Sequence, residues 1–241
     1  MGGCQIFIFD ISPCDAVKRK GVPKSLDRTP ATAWAEASFV TAGASAASTR
    51  TVGRPEPYLN SDRMNIYIAL FRGINVGGKN SLPMKELVAL LEDLGAKKVR
   101  TYIQSGNAVF HSAEKNASQL SKQLAAEIKK RHSFAPHVLI LGLEAINTAI
   151  AKNPFPEAEA DPSSLHLGFL ASTPKNPDLE KLNSLKKASE RFHLSDNVFY
   201  LHAPEGVGRS KLAASTEKLL GVPMTDRNWR TVCKIKELAG E

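Results

Sequence analysis

The chain has 241 residues, of which 42% are hydrophobic and 23% are charged. These proportions are near the average for globular proteins, so they exclude a wholly disordered chain and a fibrous one. Lys and Arg exceed Asp and Glu by eight (32 against 24), and this excess favours anionic partners. It is concentrated near the C-terminus, because residues 206–236 contain seven basic and two acidic residues.

The sequence indicates neither a membrane span nor a metal site. Three cysteines without C-x-x-C spacing form no disulfide framework or zinc motif. The six histidines show no metal-binding spacing, and no run of about 18 apolar residues is present. We therefore expect a cytoplasmic protein without a metal ion or a cofactor.

Residues 1–63 differ from the rest of the chain. The stretch 29–63 is rich in Ala, Ser, Thr, Pro and Arg and has no helical or strand period, which predicts a disordered leader. The apolar run at 6–9 is too short for a secretory signal. Regular patterning begins abruptly at Met64, so two interpretations stay open: a disordered leader, or a natural start at Met64.

From Met64 onward the pattern predicts the element order β-α-β-β-α-β. The apolar run 64–71 predicts a buried strand. A leucine-rich helix follows a glycine-rich loop, with Pro83 in its first turn and Gly95 at its end. The later predicted elements of this half are strands at 99–103 and 108–110, a helix at 117–131 and a strand at 138–141.

The same order is predicted a second time after a connecting helix and loop at 143–164. The predicted elements are strands at 165–170, 192–194, 198–201 and 222–224, and helices at 177–189, 210–220 and 229–239. Pro223 weakens the last strand. We therefore predict an α+β fold with two ferredoxin-like halves, 64–142 and 165–241, and a C-terminal helix.

The first candidate site is the glycine-rich loop 72–80. It fits the phosphate-loop pattern G-x-x-x-x-G-K, but Asn80 replaces the hydroxyl residue that would ligate magnesium, so a nucleotide hydrolase is disfavoured. One alternative is an anion site formed by backbone N–H groups of Gly77 and Gly78 with basic side chains nearby. The other is a connecting loop whose glycines only satisfy backbone geometry.

Sheet topology is expected to bring a second loop beside the first. In a sheet of order 4-1-3-2, strands 1 and 2 are parallel, so the loop 72–80 and the hairpin turn 104–107 lie at one edge. A polar cleft could then be lined by Arg72, Asn75, Lys79, Gln104, Ser105 and Asn107. A turn alone would also explain Gly106 and Asn107, because both residues adopt positive φ easily.

Two basic segments in the second half are further candidates. Arg209, Ser210 and Lys211 lie at a predicted helix start, which suits a phosphate or a carboxylate. In the segment 226–230, Arg227 and Arg230 flank Trp229, so this segment could bind an anion or stack a base. The alternative is a buried Trp229 with solvated arginines. No arrangement of nucleophile, base and orienting group is present in the sequence, so the catalytic residues are unknown and the sequence leaves open whether the protein is an enzyme.

Five segments in chain order resemble one bacterial family. They are RGINVGG at 72–78, TYIQSGN at 101–107, NPF at 153–155, GVGRSKL at 206–212 and RNWRTV at 227–232. Together they resemble the domain-of-unknown-function family 1697 over residues 64–239. The resemblance implies a cytosolic α+β protein with two ferredoxin-like halves and implies no activity. Glu205 departs from the family pattern, where asparagine is expected, and places a carboxylate beside the basic loop.

Three functions remain open from the sequence. The first is binding of a small phosphorylated or carboxylated ligand by the loop 72–80 and the hairpin 104–107. The second is a non-catalytic role in binding a protein partner. The third is nucleic-acid binding, since the element order is that of an RNA-recognition motif, but the aromatic platform is mostly missing at 105–110.

Overall fold

The structure is a computed structural model, and it describes residues 64–241. The two interpretations of residues 1–63 therefore lie outside the described residues. The first half contains β1 (Asn65–Arg72), α1 (Met84–Asp93), β2 (Lys97–Tyr102), β3 (Asn107–Ser112), α2 (Ala117–His132) and β4 (His137–Gly142). The helix α3 (Leu143–Ala151) and a 3-10 helix (Pro156–Ala160) connect it to the second half.

The second half repeats the order of the first. It contains β5 (Leu165–Leu170), α4 (Leu179–Leu185), β6 (Arg191–Ser195), β7 (Val198–His202), α5 (Lys211–Leu220), β8 (Met224–Asn228) and α6 (Trp229–Gly240). The two four-stranded sheets have the orders β2-β3-β1-β4 and β6-β7-β5-β8, and all neighbouring strands are antiparallel. The predicted α+β fold with two ferredoxin-like halves and a C-terminal helix is confirmed.

The last strand is the element that the sequence placed least well. It begins at Met224 rather than at residue 222 and continues to Asn228. Pro223 has no N–H to donate to a ladder, so regular pairing starts after it. Asp226 and Arg227, which lie between the predicted strand 222–224 and the predicted helix 229–239, are therefore strand residues that pair with Gly168 and Leu167.

The central strand β1 is buried on both faces. Because side chains alternate along a strand, Tyr67, Ala69 and Phe71 pack against α1 and α2. Ile68 and Leu70 lie on the opposite face and are both 0% exposed. The continuous apolar run of this strand is what burial on two faces requires.

A central apolar cluster joins the two halves. Ile68 and Leu70 of β1 share it with Leu167 of β5 and with Trp229 and Val232 of α6. The helix α3 adds Ile146 and Ala149 to the same cluster. The described residues, 64–241, consequently lie in one compact unit with a shared core. Within the described residues, the helices are too short or too polar to cross a membrane.

Candidate functional site

The glycine-rich loop 72–80 folds back on itself as a small hairpin. The Lys79 N–H donates to the Val76 carbonyl at 3.1 Å, and Gly77 and Gly78 have φ values of 58° and 74°. Positive φ at both central residues is the pattern of a type I′ turn, in which glycine is strongly favoured. The two glycines therefore meet a backbone requirement here, as the second interpretation of this loop expects.

The loop also lies away from the start of α1. Pro83 is the N-cap, and α1 begins at Met84, five residues after Lys79. In a phosphate-binding loop the glycines lead directly into the helix, whose first N–H groups face the phosphate. This arrangement gives Lys79 no helix N-terminus to share with an anion, so a phosphate loop of the hydrolase type is absent from residues 72–84.

Asn75 fastens the glycine-rich loop to the first hairpin of the sheet. Its Nδ2 donates to the carbonyls of Leu82 and Gln104, both at 2.9 Å, and its Oδ1 accepts from the Leu82 N–H at 2.7 Å. Asn75 has a φ of 54°, a left-handed conformation that asparagine tolerates well. The loop 72–80 and the turn 103–106 are thus neighbours, as sheet topology predicts.

The turn between β2 and β3 differs from its predicted form. Positive φ occurs at Ile103 (49°) and Gly106 (79°), and Asn107 lies in β3. The expectation of positive φ at Asn107 was therefore wrong. Asn107 is 1% exposed and donates from Nδ2 to the Tyr102 carbonyl at 3.0 Å, across the base of the turn. A buried, fully engaged amide has no free donor for a ligand.

Arg227 of β8 crosses from the second half into this turn. Its Nε donates to Asn107 Oδ1 at 2.6 Å, and its Nη2 donates to the carbonyls of Phe71 at 2.6 Å and Gly106 at 3.2 Å. Burial lowers the pKa of Arg227 to about 10, so the guanidinium stays charged at neutral pH. Arg227 is therefore a joint between the halves, and its donors are directed at the protein itself.

Arg72 forms a second link between the halves. Its guanidinium pairs with the carboxylate of Glu217 on α5 and donates from Nη1 to the Met224 carbonyl at 3.0 Å. The two side chains are 45% and 41% exposed. Because Glu217 compensates the charge of Arg72, Lys79 is the basic residue of this loop that has no ion-pair partner among residues 64–241.

The second basic loop is organised around the start of α5. Ser210 is the N-cap, and its Oγ accepts from the Ala213 N–H at 3.0 Å. The carboxylate of Glu205 accepts from Lys187 Nζ at 2.8 Å and from Ser189 Oγ at 2.6 Å, and Lys187 lowers its pKa. Within residues 64–241, no hydrogen bond or ion pair joins the loop 206–211 to the loops 72–80 or 103–107.

The segment 226–230 does not form a stacking site. Trp229 is 3% exposed and belongs to the central cluster, so its ring is not accessible to a base. Arg230 is exposed, whereas Arg227 points into the first half. Arg209 and Lys211 are exposed at the second loop. The candidate basic residues are therefore distributed over separate places rather than gathered in one cleft.

The sheet face that an RNA-recognition motif uses is covered here. In that motif, bases stack on exposed aromatic residues of the two central strands. That face lies opposite α1 and α2, and in this chain the central cluster covers it: Ile68 and Leu70 are 0% exposed and Val109 is 3% exposed. Stacking on this sheet is therefore sterically excluded. Nucleic-acid binding through the basic C-terminal half stays a prediction.

A buried histidine, His166, pairs with the partly exposed Asp226, and no sequence pattern predicted this pair. His166 is 8% exposed, and its Nδ1 and Nε2 lie 2.8 Å from Asp226 Oδ2 and 3.1 Å from the Ser163 carbonyl. Because both partners are acceptors, the ring makes both hydrogen bonds only when it is protonated on both nitrogens. No local motif signals this pair, since the two residues meet only through the pairing of β5 with β8.

This pair predicts a pH dependence of stability. Burial alone would lower the pKa of His166, but the hydrogen bond and the charge of Asp226 outweigh burial and raise it above the ordinary 6.5. The stabilisation is therefore complete below pH 6.5 and is lost as pH rises through the folded-state pKa. Urea unfolding at a series of pH values should show this loss. Asp226→Asn should remove it, and an unchanged alkaline slope in that variant would contradict the assignment.

Within residues 64–241, no three side chains of His, Cys, Asp or Glu are grouped so that they could hold a metal ion. Lys79 and Gln104 are exposed on the two ordered loops, and their side chains form no hydrogen bond with another described residue.

Comparison with known proteins agrees with the fold. The family model described as "Protein of unknown function (DUF1697)" matches residues 64–200, more than half of the chain. The chain belongs to the DUF1697 family. A solved structure of the conserved bacterial protein SP0830 from Streptococcus pneumoniae is similar, with 29% identity and a TM-score of 0.54 over 73% of this chain and 99% of that chain. No curated protein matches the chain.

The fold brings some of the five segments that resemble the DUF1697 family together. Three of them meet at one place, because Arg227 of the fifth segment binds Asn107 and Gly106 of the second, and Asn75 of the first binds the Gln104 carbonyl of the second. Many of the polar side chains in these segments are thus accounted for by the hydrogen bonds that join the two halves. The family match itself carries no activity.

Proposed function

We propose that this DUF1697 protein binds a small anionic ligand, phosphorylated or carboxylated, that also carries apolar surface. The binding surface is the first-sheet edge, defined as residues 72–80 and 103–107. The observation that carries the proposal is the combination of an unpaired ammonium group with two exposed apolar side chains on adjacent loops. These are Lys79, Val76 and Ile103.

The exposure of the two apolar residues is unusual for this chain. Val76 is 64% exposed and Ile103 is 49% exposed. Each lies next to a residue of the Asn75–Gln104 hydrogen bond, so the two side chains project from loops that are tied together. Covering them with an apolar group would gain roughly 25 cal/mol for each Å² removed from water.

The backbone at Ile103 supports a role for its side chain. A φ of 49° is left-handed, and a β-branched residue in that region is an outlier. Such strain costs about 1–3 kcal/mol and is retained mainly at sites where the side chain is needed. Asparagine would satisfy the same backbone with less strain. The presence of isoleucine at this exposed, strained position therefore favours a binding role for its side chain.

Charge at the first-sheet edge selects an anion. Lys79 contributes a positive charge with no compensating carboxylate, whereas Glu217 balances Arg72. The side-chain amide of Gln104 and the hydroxyl of Ser105 can donate to phosphate or carboxylate oxygens. Asn75, Asn107 and Arg227 contribute indirectly, because their hydrogen bonds hold the loops that carry these donors.

Hexyl phosphate is a suitable probe, with inorganic phosphate and hexanol as its two halves. We expect isothermal calorimetry to show that the full chain binds hexyl phosphate more tightly than it binds inorganic phosphate or hexanol. Lys79→Gln should weaken binding about tenfold through the lost charged hydrogen bond. Ile103→Asn should weaken binding while raising the free energy of unfolding by about 1 kcal/mol, since it removes the strain. Lys211→Gln, an exposed lysine of the second loop, is the matched control.

The proposal fails if Lys79→Gln and Lys211→Gln have equal effects, or if hexanol binds as tightly as hexyl phosphate. The exposed pair of Val76 and Ile103 also suits a protein partner, which is the second candidate. In that case the small probes do not bind, and Ile103→Asn disrupts a reproducible complex with an identified protein. Binding of oligonucleotides that weakens steeply with salt would instead support a nucleic-acid role for the basic C-terminal half.

A further inference from the structure

A cavity of about 290 Å³ lies between α3 and the turn that joins β6 to β7. It is independent of the first-sheet edge and shares no residue with it. One wall belongs to the helix that connects the halves, and the other belongs to the second half. Ligand cavities occur often at such junctions, and this volume is at the small end of their usual range.

The floor of the cavity is apolar and the rim is polar. The floor is formed by Ala149, Val198 and the ring of Tyr200, and Ala145 lines its exposed edge. The Tyr200 hydroxyl donates to the Ala149 carbonyl at 2.8 Å, and burial raises the pKa of Tyr200 to about 12. Tyr200 is therefore neutral, and it contributes its ring to the cavity and no charge.

The charges on the rim are unequally compensated. At one end, Lys152 Nζ lies 2.8 Å from Asp196 Oδ2, and this hydrogen bond lowers the pKa of Asp196. At the other end, Glu144 forms no ion pair or hydrogen bond with another described residue. Glu144 lies in the first turn of α3 and Lys152 is its C-cap, eight residues later, so their Cα atoms are about 12 Å apart. The cavity therefore has one net negative charge at the Glu144 end.

Two residues with hydroxyl groups also line the cavity. Thr148 lies one turn after Glu144 on the same face of α3, and Ser195 lies at the end of β6. The side-chain hydroxyls of Thr148 and Ser195 form no hydrogen bond within residues 64–241. Each can accept a hydrogen bond from a ligand N–H, as the Glu144 carboxylate can.

We propose that this cavity is a binding site for a small organic cation, a primary ammonium with a short apolar chain. Glu144 pairs with the ammonium, the hydroxyls of Thr148 and Ser195 accept further N–H bonds, and the alkyl chain covers the alanine floor. Lys152, at the other end of the cavity, is already paired with Asp196, so no uncompensated positive charge is available there for a ligand carboxylate. The site thus discriminates by charge against the anions proposed for the first-sheet edge.

Titration of the full chain with n-butylammonium tests this proposal, with butanol and butyrate as probes of equal chain length. Isothermal calorimetry should detect saturable binding of n-butylammonium in the millimolar range and none of the other two. Amide shifts in nitrogen-edited NMR spectra should concentrate in α3 and at 195–200. Glu144→Gln should weaken binding about tenfold or more.

Two further variants keep the result interpretable. Ala145→Leu fills the floor from an exposed helix position, so it should abolish binding and leave the circular dichroism spectrum unchanged. Glu180→Gln removes an equivalent exposed carboxylate from the first turn of α4 and should have no effect. Unchanged affinity in Glu144→Gln or Ala145→Leu, equal binding of butanol, or no saturable binding of n-butylammonium would each overturn the proposal. None of these results depends on Lys79 or Ile103.

Discussion

Replacing Arg227 with alanine is expected to lower the free energy of unfolding by about 3–5 kcal/mol, because the change removes three hydrogen bonds made by a buried charged group. The acceptors are Asn107 Oδ1 and the carbonyls of Phe71 and Gly106, all in the first half, and the buried Asn107 Oδ1 loses this hydrogen-bond partner. Arg227→Lys should recover only part of the loss, since a single ammonium cannot reproduce a planar fork of donors. Urea unfolding of the full chain measures both values.

Alanine variants of two other arginines serve as controls for the loss of a positive charge. Arg230→Ala, at an exposed position, should change stability by less than about 0.5 kcal/mol. Arg72→Ala should cost about 1 kcal/mol or less, because its ion pair with Glu217 is nearly half exposed. If Arg227→Ala costs no more than Arg72→Ala, the joint between the halves is held by the apolar cluster alone.

Replacing Gly106 with alanine is expected to lower the free energy of unfolding by about 2–5 kcal/mol, from overpacking and backbone strain together. Its φ is 79°, and an added Cβ would lie 2.5 Å from Ile74 Cδ1 and 2.7 Å from Phe71 Cβ. Ile74 and Phe71 are each 1% exposed, so neither can move aside without disturbing the core between the first sheet and the helices α1 and α2. Thermal or urea unfolding gives the measurement.

Two glycines provide matched controls for this substitution. Gly77 has a φ of 58° and open space around it, so Gly77→Ala should show the strain alone, about 1 kcal/mol. At Gly168 a Cβ would meet Met224 Sδ at 2.3 Å, but this atom belongs to a flexible side chain that can shift. Gly168→Ala should therefore cost less than Gly106→Ala. The reverse order would show that the packing around Gly106 is looser than the structure indicates.

The order and type of the elements were readable from the sequence because they depend on local periodicity. The apolar run of β1, the leucine spacing of α1 and the glycine after it are all patterns that extend over a few residues. The last strand was misplaced for the opposite reason. Residues 224–228 have the sequence MTDRN, which is too polar to resemble a strand, and they are held by specific distant partners.

The proximity of the two loops at the first-sheet edge was also predictable, because it follows from the order of the strands in the sheet. What those residues do was less predictable. Arg72 and Arg227 had the composition of an anion site, but each is directed at the protein by a residue more than 100 positions away. Conversely, the sequence did not predict a binding role for Val76 and Ile103, because only the fold decides whether an apolar residue is exposed.

By itself, the sequence determined the α+β class, the repeated β-α-β-β-α-β order and the family, because these depend on short-range patterns and on motifs in chain order. Only the tertiary structure decided how the halves join, which charges remain uncompensated, and where Glu144 meets the β6–β7 turn. The physical reason is that charge compensation and burial depend on contacts between residues far apart in the chain. One periodic pattern is compatible with many such sets of contacts.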